Sequence, residues 1–243
     1  MCPGGCGGAP EYPARPVRLD GPMSVHDVAR GLPGISALTD LCRSLAMLDA
    51  ILSPEWDHRW HGFDAQWSPT EAMASMRDGS GGEYSIVFSA AGAYARGFDH
   101  ESPMSPYVDD APWPGVLDEV PEVFRRYVDE PSFCDEFGLP VVTACLWRES
   151  GDDRWRAGAV EFPEDGEDSD GADWLFQLLV TGTPESYQEW AEDHFEVTVD
   201  LEAVRHVYAL RPLTDEIVAA LNPERVPAEL AEDIKEIGYP VGA

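Results

Sequence analysis

Lysine is almost missing from this chain: Lys235 is the only one, and the other 15 of its 16 basic residues are Arg. Against them stand 46 Asp and Glu, for a formal net charge of −30 over 243 residues. A surface so poor in positive charge repels nucleic acid and anionic membranes, since phosphate recognition rests on a cationic surface. Also absent is any apolar run near the roughly 18 residues that a membrane helix needs. The N-terminus, MCPGGCGGAPEYPARP, lacks the charged-then-apolar order of a secretory signal. Cysteine is sparse and odd in number (Cys2, Cys6, Cys42, Cys134 and Cys145), which does not make a secreted disulfide framework. These absences point to a cytoplasmic protein.

What is present suffices to fold. Hydrophobic residues make up 44% and aromatics 10% of the chain, well above the composition of a disordered polymer. The acidity is uneven: residues 1–121 carry 17 acids and 7 bases, whereas 122–243 carry 29 and 9. An acidic field attracts a basic protein such as a toxin, and an acidic, lysine-poor surface equally suits solvation in a salt-rich cell. Both readings stand on charge alone.

Residues 1–22 read as a flexible tail rich in Gly and Pro, in which Cys2 and Cys6 have no second ligand pair at zinc spacing. The remainder, 23–243, reads as one domain. Leu38, Leu41, Cys42, Leu45, Leu48 and Leu52 recur at three- and four-residue spacing and predict a helix over 36–52. The aromatics of 56–67 suggest a strand. Ser68-Pro69-Thr70-Glu71 has the form of a helix start with a capping box. Two runs, 83–89 and 93–98, predict a hairpin about an Ala91-Gly92 turn, and 139–148 with 155–162 a second. Residues 99–115 read as a long loop, and 116–128 as a helix broken at Pro121. The last third predicts helices over 172–180, 184–195, 200–210, 214–221 and 228–237. The expected class is α+β: an antiparallel sheet of hairpins, an N-terminal packing helix and a helical C-terminal third.

No nucleophile elbow, zinc-protease, dinucleotide or P-loop pattern occurs, and the sequence asks for no cofactor. The candidate catalytic groups are His100 and Glu101, in a loop just past a strand, with Asp57 and His61 in the DHRWHGFD stretch; a histidine beside carboxylates can act as a general base. On a strand, His58 and His61 face opposite sides and cannot share a metal. Glu164, Asp165, Glu167, Asp168, Asp170 and Asp173 form the densest acidic loop. Aligned as a calcium loop, it puts Gly166 first and Gln177 last, neither of which supplies the needed ligand. It reads instead as a solvated loop leading into a helix, and as a candidate surface for a basic partner. No metal site is expected. The aromatics of the last third lie at helical spacing and serve as core or as interface anchors.

Four phrases, MASMRDGSG (73–81), GFDHES (97–102), LWR (146–148) and EIGYP (236–240), together resemble a family of bacterial proteins with no established activity. The resemblance spans most of the chain after the tail and implies one continuous domain, without assigning functional residues. Charge and architecture are also similar to small acidic immunity proteins that neutralise toxins, which is analogy at the level of class. Two functions follow as expectations. One is a non-enzymatic, immunity-like or inhibitor-like module that binds a basic protein, through the 164–173 loop and the acidic C-terminal helices. The other is a small hydrolase with its site around the His100-Glu101 loop.

Overall fold

The computed structural model describes residues 22–163 and 169–242. The tail expected over 1–22, including Cys2 and Cys6, lies outside the described residues except for Pro22.

The chain opens with α1 (Val25–Gly31) and α2 (Ile35–Leu52). Five strands follow: β1 (His61–Ser68), β2 (Glu71–Arg77), β3 (Glu83–Ser89), β4 (Gly92–Phe98) and, after a long excursion containing α3 (Arg125–Val128), β5 (Ala144–Glu149). They form one antiparallel sheet in chain order. The helices α4 (Ala172–Thr181), α5 (Pro184–Phe195), α6 (Leu201–Tyr208), α7 (Asp215–Leu221) and α8 (Ala231–Ile237) complete the chain. This is the α+β arrangement expected.

Alternation of side chains across the strands sends two apolar sets to opposite faces. Phe63, Ala74, Met76, Ile86, Ala95 and Leu146 meet the helices. Val87, Tyr94, Cys145 and Trp147 meet Met104, Phe124, Tyr127 and Phe133 from the 99–142 excursion. Both faces are therefore covered, one by helices and one by loops. On β4 the helix-facing residues are small, Ala93, Ala95 and Gly97. A Cβ at Gly97 would lie 2.9 Å from Leu175 and 3.0 Å from Phe176, so glycine there lets α4 close on the sheet.

Several local expectations are corrected. Ser68–Glu71 starts no helix; Pro69-Thr70 is the two-residue turn joining β1 to β2, and Ser68 pairs with Glu71. The two side chains meet, Ser68 Oγ donating to Glu71 Oε2 at 3.0 Å, but this bond runs side chain to side chain across a hairpin turn and caps no backbone amide. Met73 packs on the loop-side cluster while Ala74 and Met76 are buried on the helix side, and that tertiary demand overrides the cap signal. The second hairpin is reduced to one bridge, Trp147 with Arg156. Beyond it Trp155 is buried and donates to Pro33 O at 2.7 Å, and the chain turns toward Gly115 rather than extending the sheet. The β3–β4 turn is Ala90-Ala91, because Gly92 already pairs with Ser89. Residues 56–58 form a short 3-10 turn before β1, and the helix expected over 116–128 contracts to a 3-10 turn at Glu122–Phe124 plus α3. The helix α1 was not expected; Ser24 and Asp27 cap it reciprocally.

Candidate functional site

Asp49 is the one acid in the buried stripe of α2, spaced four residues from Leu45 and seven from Cys42, so helix geometry turns it inward. It is fully buried. An isolated buried carboxylate is strongly disfavoured, and here four donors compensate it. Trp60 N (3.1 Å), His61 N (2.8 Å) and His61 Nδ1 (3.0 Å) converge on Oδ2, and Tyr187 OH donates to Oδ1 at 2.7 Å. The knot ties α2 to the start of β1 and to α5. Burial first, and then the Asp49 charge, push the Tyr187 hydroxyl well above its ordinary pKa, so it remains a donor.

Aromatic rings close around this centre. Trp190 stacks on His194 at 4.9 Å between centroids and meets His61 edge-on at 5.0 Å, while Trp60 lies 4.5 Å from His194. Burial holds the His194 pKa below its ordinary value; the His61 charge adds to this, and Asp49 and Asp193 oppose it. Chemically, an Asp–His pair can take a proton at the far ring nitrogen. His61, however, is 5% exposed, and among the described residues no Ser, Thr or Cys hydrogen-bonds to it.

The other catalytic candidates do not join it. Asp57 lies in the exposed 3-10 turn, where His58 pairs with Glu55 at 3.3 Å. His61 and Gly97 share one cross-strand row, three strand spacings or about 14 Å apart, and His100 and Glu101 lie beyond Gly97. Both are exposed. Their neighbour Asp99 is buried and accepts from Glu101 N at 3.0 Å, while His100 Nδ1 is 3.9 Å from Asp99 Oδ1.

The acidic loop divides. Glu164, Asp165, Glu167 and Asp168 lie outside the described residues. Asp170 is not solvated, as the sequence suggested, but fully buried: it accepts from Val25 N at 2.8 Å and Ala172 N at 3.0 Å, latching α1 to α4. Burial raises its pKa against the pull of those amides. Asp173 is half-buried in the first turn of α4. No group of three His, Cys, Asp or Glu fit to hold a metal occurs among the described residues. A shallow depression of about 860 Å³ along the β1–β2 turn has Glu71 as its one ionisable lining residue. Glu71 is itself engaged by Arg126 and by Tyr127 OH.

Three of the four phrases form joints between elements. Asp78 in MASMRDGSG accepts from Ser80, Gly81 and Gly82 amides at 2.8–3.0 Å and so closes the β2–β3 loop. Ser102 of GFDHES donates to Ser169 O at 2.5 Å. In EIGYP, Gly238 ends α8 in the left-handed region (φ 65) and Tyr239 OH reaches Arg211 O at 2.9 Å. Asp49 and His194 were not singled out from sequence, and Tyr187 was read only as one of the aromatics at helical spacing, core or interface anchor; it is buried. An acid within the Leu45–Leu48–Leu52 stripe was the available signal for Asp49; nothing local marks His194.

Comparison with protein-family models, with curated proteins and with solved structures gave no match. Among the described residues, no helix is long and apolar enough to cross a membrane.

Proposed function

We propose that this chain is a non-catalytic binding module for a basic protein, as an inhibitor or immunity protein would be. The observation that carries this reading is a carboxylate surface left largely unneutralised. Glu185, Glu189, Asp193 and Glu202 on α5 and α6, Asp215 and Glu216 on α7, and Glu232 and Glu236 on α8 are exposed. Over 184–240 the exposed bases are Arg205, Arg211 and Lys235, and Arg205 is already held by Glu185 and Glu202 at 2.5 Å each. Glu185, Glu189 and Asp193 stand four residues apart on one helix face, an arrangement that is unfavourable for the helix itself. A cationic partner would relieve that repulsion and be steered by the field.

The test is affinity capture from the native lysate with low- and high-salt washes, run beside a variant carrying Asp215→Asn, Glu216→Gln, Glu232→Gln and Glu236→Gln. A stoichiometric basic partner, weakened by salt and by the variant, is the expected result. Capture that is indifferent to salt would overturn the reading.

The Asp49–His61 hydrogen bond favours a second reading, a hydrolase with His61 as general base. It requires that the aromatic lid formed by Trp60 and Trp190 open to substrate. Ester and phosphoester substrates turned over by the parent but not by His61→Gln would establish it; equal turnover by both would remove it.

A further inference from the structure

The loop-built layer carries a feature that the C-terminal helices lack, an apolar side chain held rigidly out in water. Phe137 is 88% exposed. It sits at the tip of the Asp135–Leu139 turn, and that turn is stapled. Asp135 Oδ1 accepts from Phe137 N and Leu139 N at 2.9 Å each, Asp135 N donates to Leu139 O at 2.9 Å, and Gly138 N donates to Asp135 O at 3.0 Å. Below it, Cys134 bridges to Pro140. A floppy loop would fold an exposed phenyl ring back onto the protein; this turn prevents it.

A second exposed run lies in the same layer. Tyr107 (53%) and Val108 (66%) are presented by consecutive turns, with Val108 N donating to Ser105 O and Ala111 N to Pro106 O, both at 3.1 Å. Tyr107 packs edge-on against Phe98 at 5.9 Å. Phe98 pairs with Glu83, whose carboxylate holds Arg96 at 2.6 Å, and Arg96 donates to Val141 O at 2.7 Å, next to the Cys134–Pro140 bridge that closes the Phe137 turn. The buried Arg96 is already held by Glu83, and the exposed Asp, Glu, Lys and Arg of these two segments are of one sign. Asp109, Asp110 and Glu136 are exposed, and neither 97–124 nor 127–147 contains any Lys or Arg.

We infer that Phe137, with Tyr107 and Val108, is the anchor of a docking surface for an Arg- and Lys-bearing protein segment, whose cations meet Asp109, Asp110 and Glu136 while Phe137 enters an apolar pocket. The inference rests on the binding-module reading and adds to the carboxylates of the C-terminal helices a second, separate contact on the loop layer, across the sheet from them. Pre-organised aromatic anchors dominate interface energetics because little entropy is lost on binding, and cations favour the faces of aromatic rings. Charge selects the occupant. A second copy of this chain would bring carboxylates against carboxylates, whereas a basic segment would neutralise them.

The experiment pans a phage-displayed library of random peptides on the intact protein at roughly 50 mM and 500 mM salt, a range that spans weak to strong screening. Selected peptides are then titrated against the parent, Phe137→Ala, Phe137→Leu, and Asp109→Asn with Asp110→Asn. Phe137 is too exposed for its replacement to disturb folding. The expected result is enrichment of Arg- and Lys-rich peptides at low salt. Their affinity should fall about tenfold or more in Phe137→Ala, the size of a hot-spot loss, and largely return in Phe137→Leu. The double Asn variant should flatten the salt dependence. Basic peptides whose affinity ignores Phe137 would overturn this surface and leave the binding-module reading standing. Enrichment of neutral or acidic peptides, or of none, would overturn both. A dimer in sedimentation that dissociates in Phe137→Ala would assign the surface to self-association and overturn the proposal.

Discussion

The two faces of the sheet are covered by different means. On one, α2 and α4–α6 bury regular apolar stripes, and the single acid among them, Asp49, is answered by four donors from the start of β1 and from α5. On the other, 99–142 covers Val87, Tyr94 and Trp147 with turns and short 3-10 segments, and its buried cation, Arg96, pairs with Glu83 at 2.6 Å and Val141 O at 2.7 Å. The helical side gathers its buried carboxylates into enclosed knots, at Asp49 and at Asp170. The loop side spreads its polar interactions along its length and keeps Phe137 and Tyr107 outside. Enclosure favours structural integrity, and distribution leaves surface free for contact.

The largest expected effect breaks the helical side. Asp49→Ala leaves the His61 and Tyr187 donors buried without an acceptor and should destabilise by about 3–5 kcal/mol, measured as a shift in urea midpoint. Glu71→Gln on the loop side, which weakens the Tyr127 and Arg126 contacts at a wetter position, should cost about 1 kcal/mol in the same assay. Equal effects would erase the distinction between the faces.

Next is Asp170→Ala, which orphans the Val25 and Ala172 amides and should cost about 2 kcal/mol. Its signature is local, namely faster hydrogen exchange across α1 than across α4, because α1 is short and its first amide is the one that Asp170 holds.

A smaller effect concerns pH. Burial lowers the His194 pKa below 6.5, so between its folded value and 6.5 the unfolded chain binds more protons than the folded one. Stability contributed by neutral His194 is complete above 6.5 and is lost as pH falls through that window. His194→Phe should flatten the urea midpoint against pH in that range; an unchanged slope would place the titration elsewhere. The smallest effect sharpens the loop side: Phe137→Ala should leave stability within about 0.5 kcal/mol of the parent, since nothing buried is lost. A larger loss would mean that the ring has a packing role.

Legibility followed the same division. α2 and α4–α8 were readable nearly to the residue because a 3.6-residue stripe and its caps are local signals. The β3–β4 hairpin was readable because its alternation is local too. Ser68–Glu71 misled because the residue types that suit a helix cap also suit a hairpin turn, and only the packing of Met73 on one face of β2 and of Ala74 and Met76 on the other decides between them. The candidate site was less legible. His61 was picked for its neighbours Asp57 and His58, yet its partners are Asp49, 12 residues away, and the Trp190 ring, in the helical third. Asp170 was placed in a solvated loop by its acidic neighbours, and a backbone amide 145 residues away buries it.

By itself, then, the sequence determined the class of fold, the helices with regular stripes, and the acidic, lysine-poor surface, since propensity, periodicity and net charge are properties of neighbouring residues or of their sum. Only the tertiary structure decided which acids are buried, which histidine meets which carboxylate, and that Phe137 faces water. Those outcomes depend on the burial and hydrogen-bond partners that distant segments supply once the chain has closed on itself.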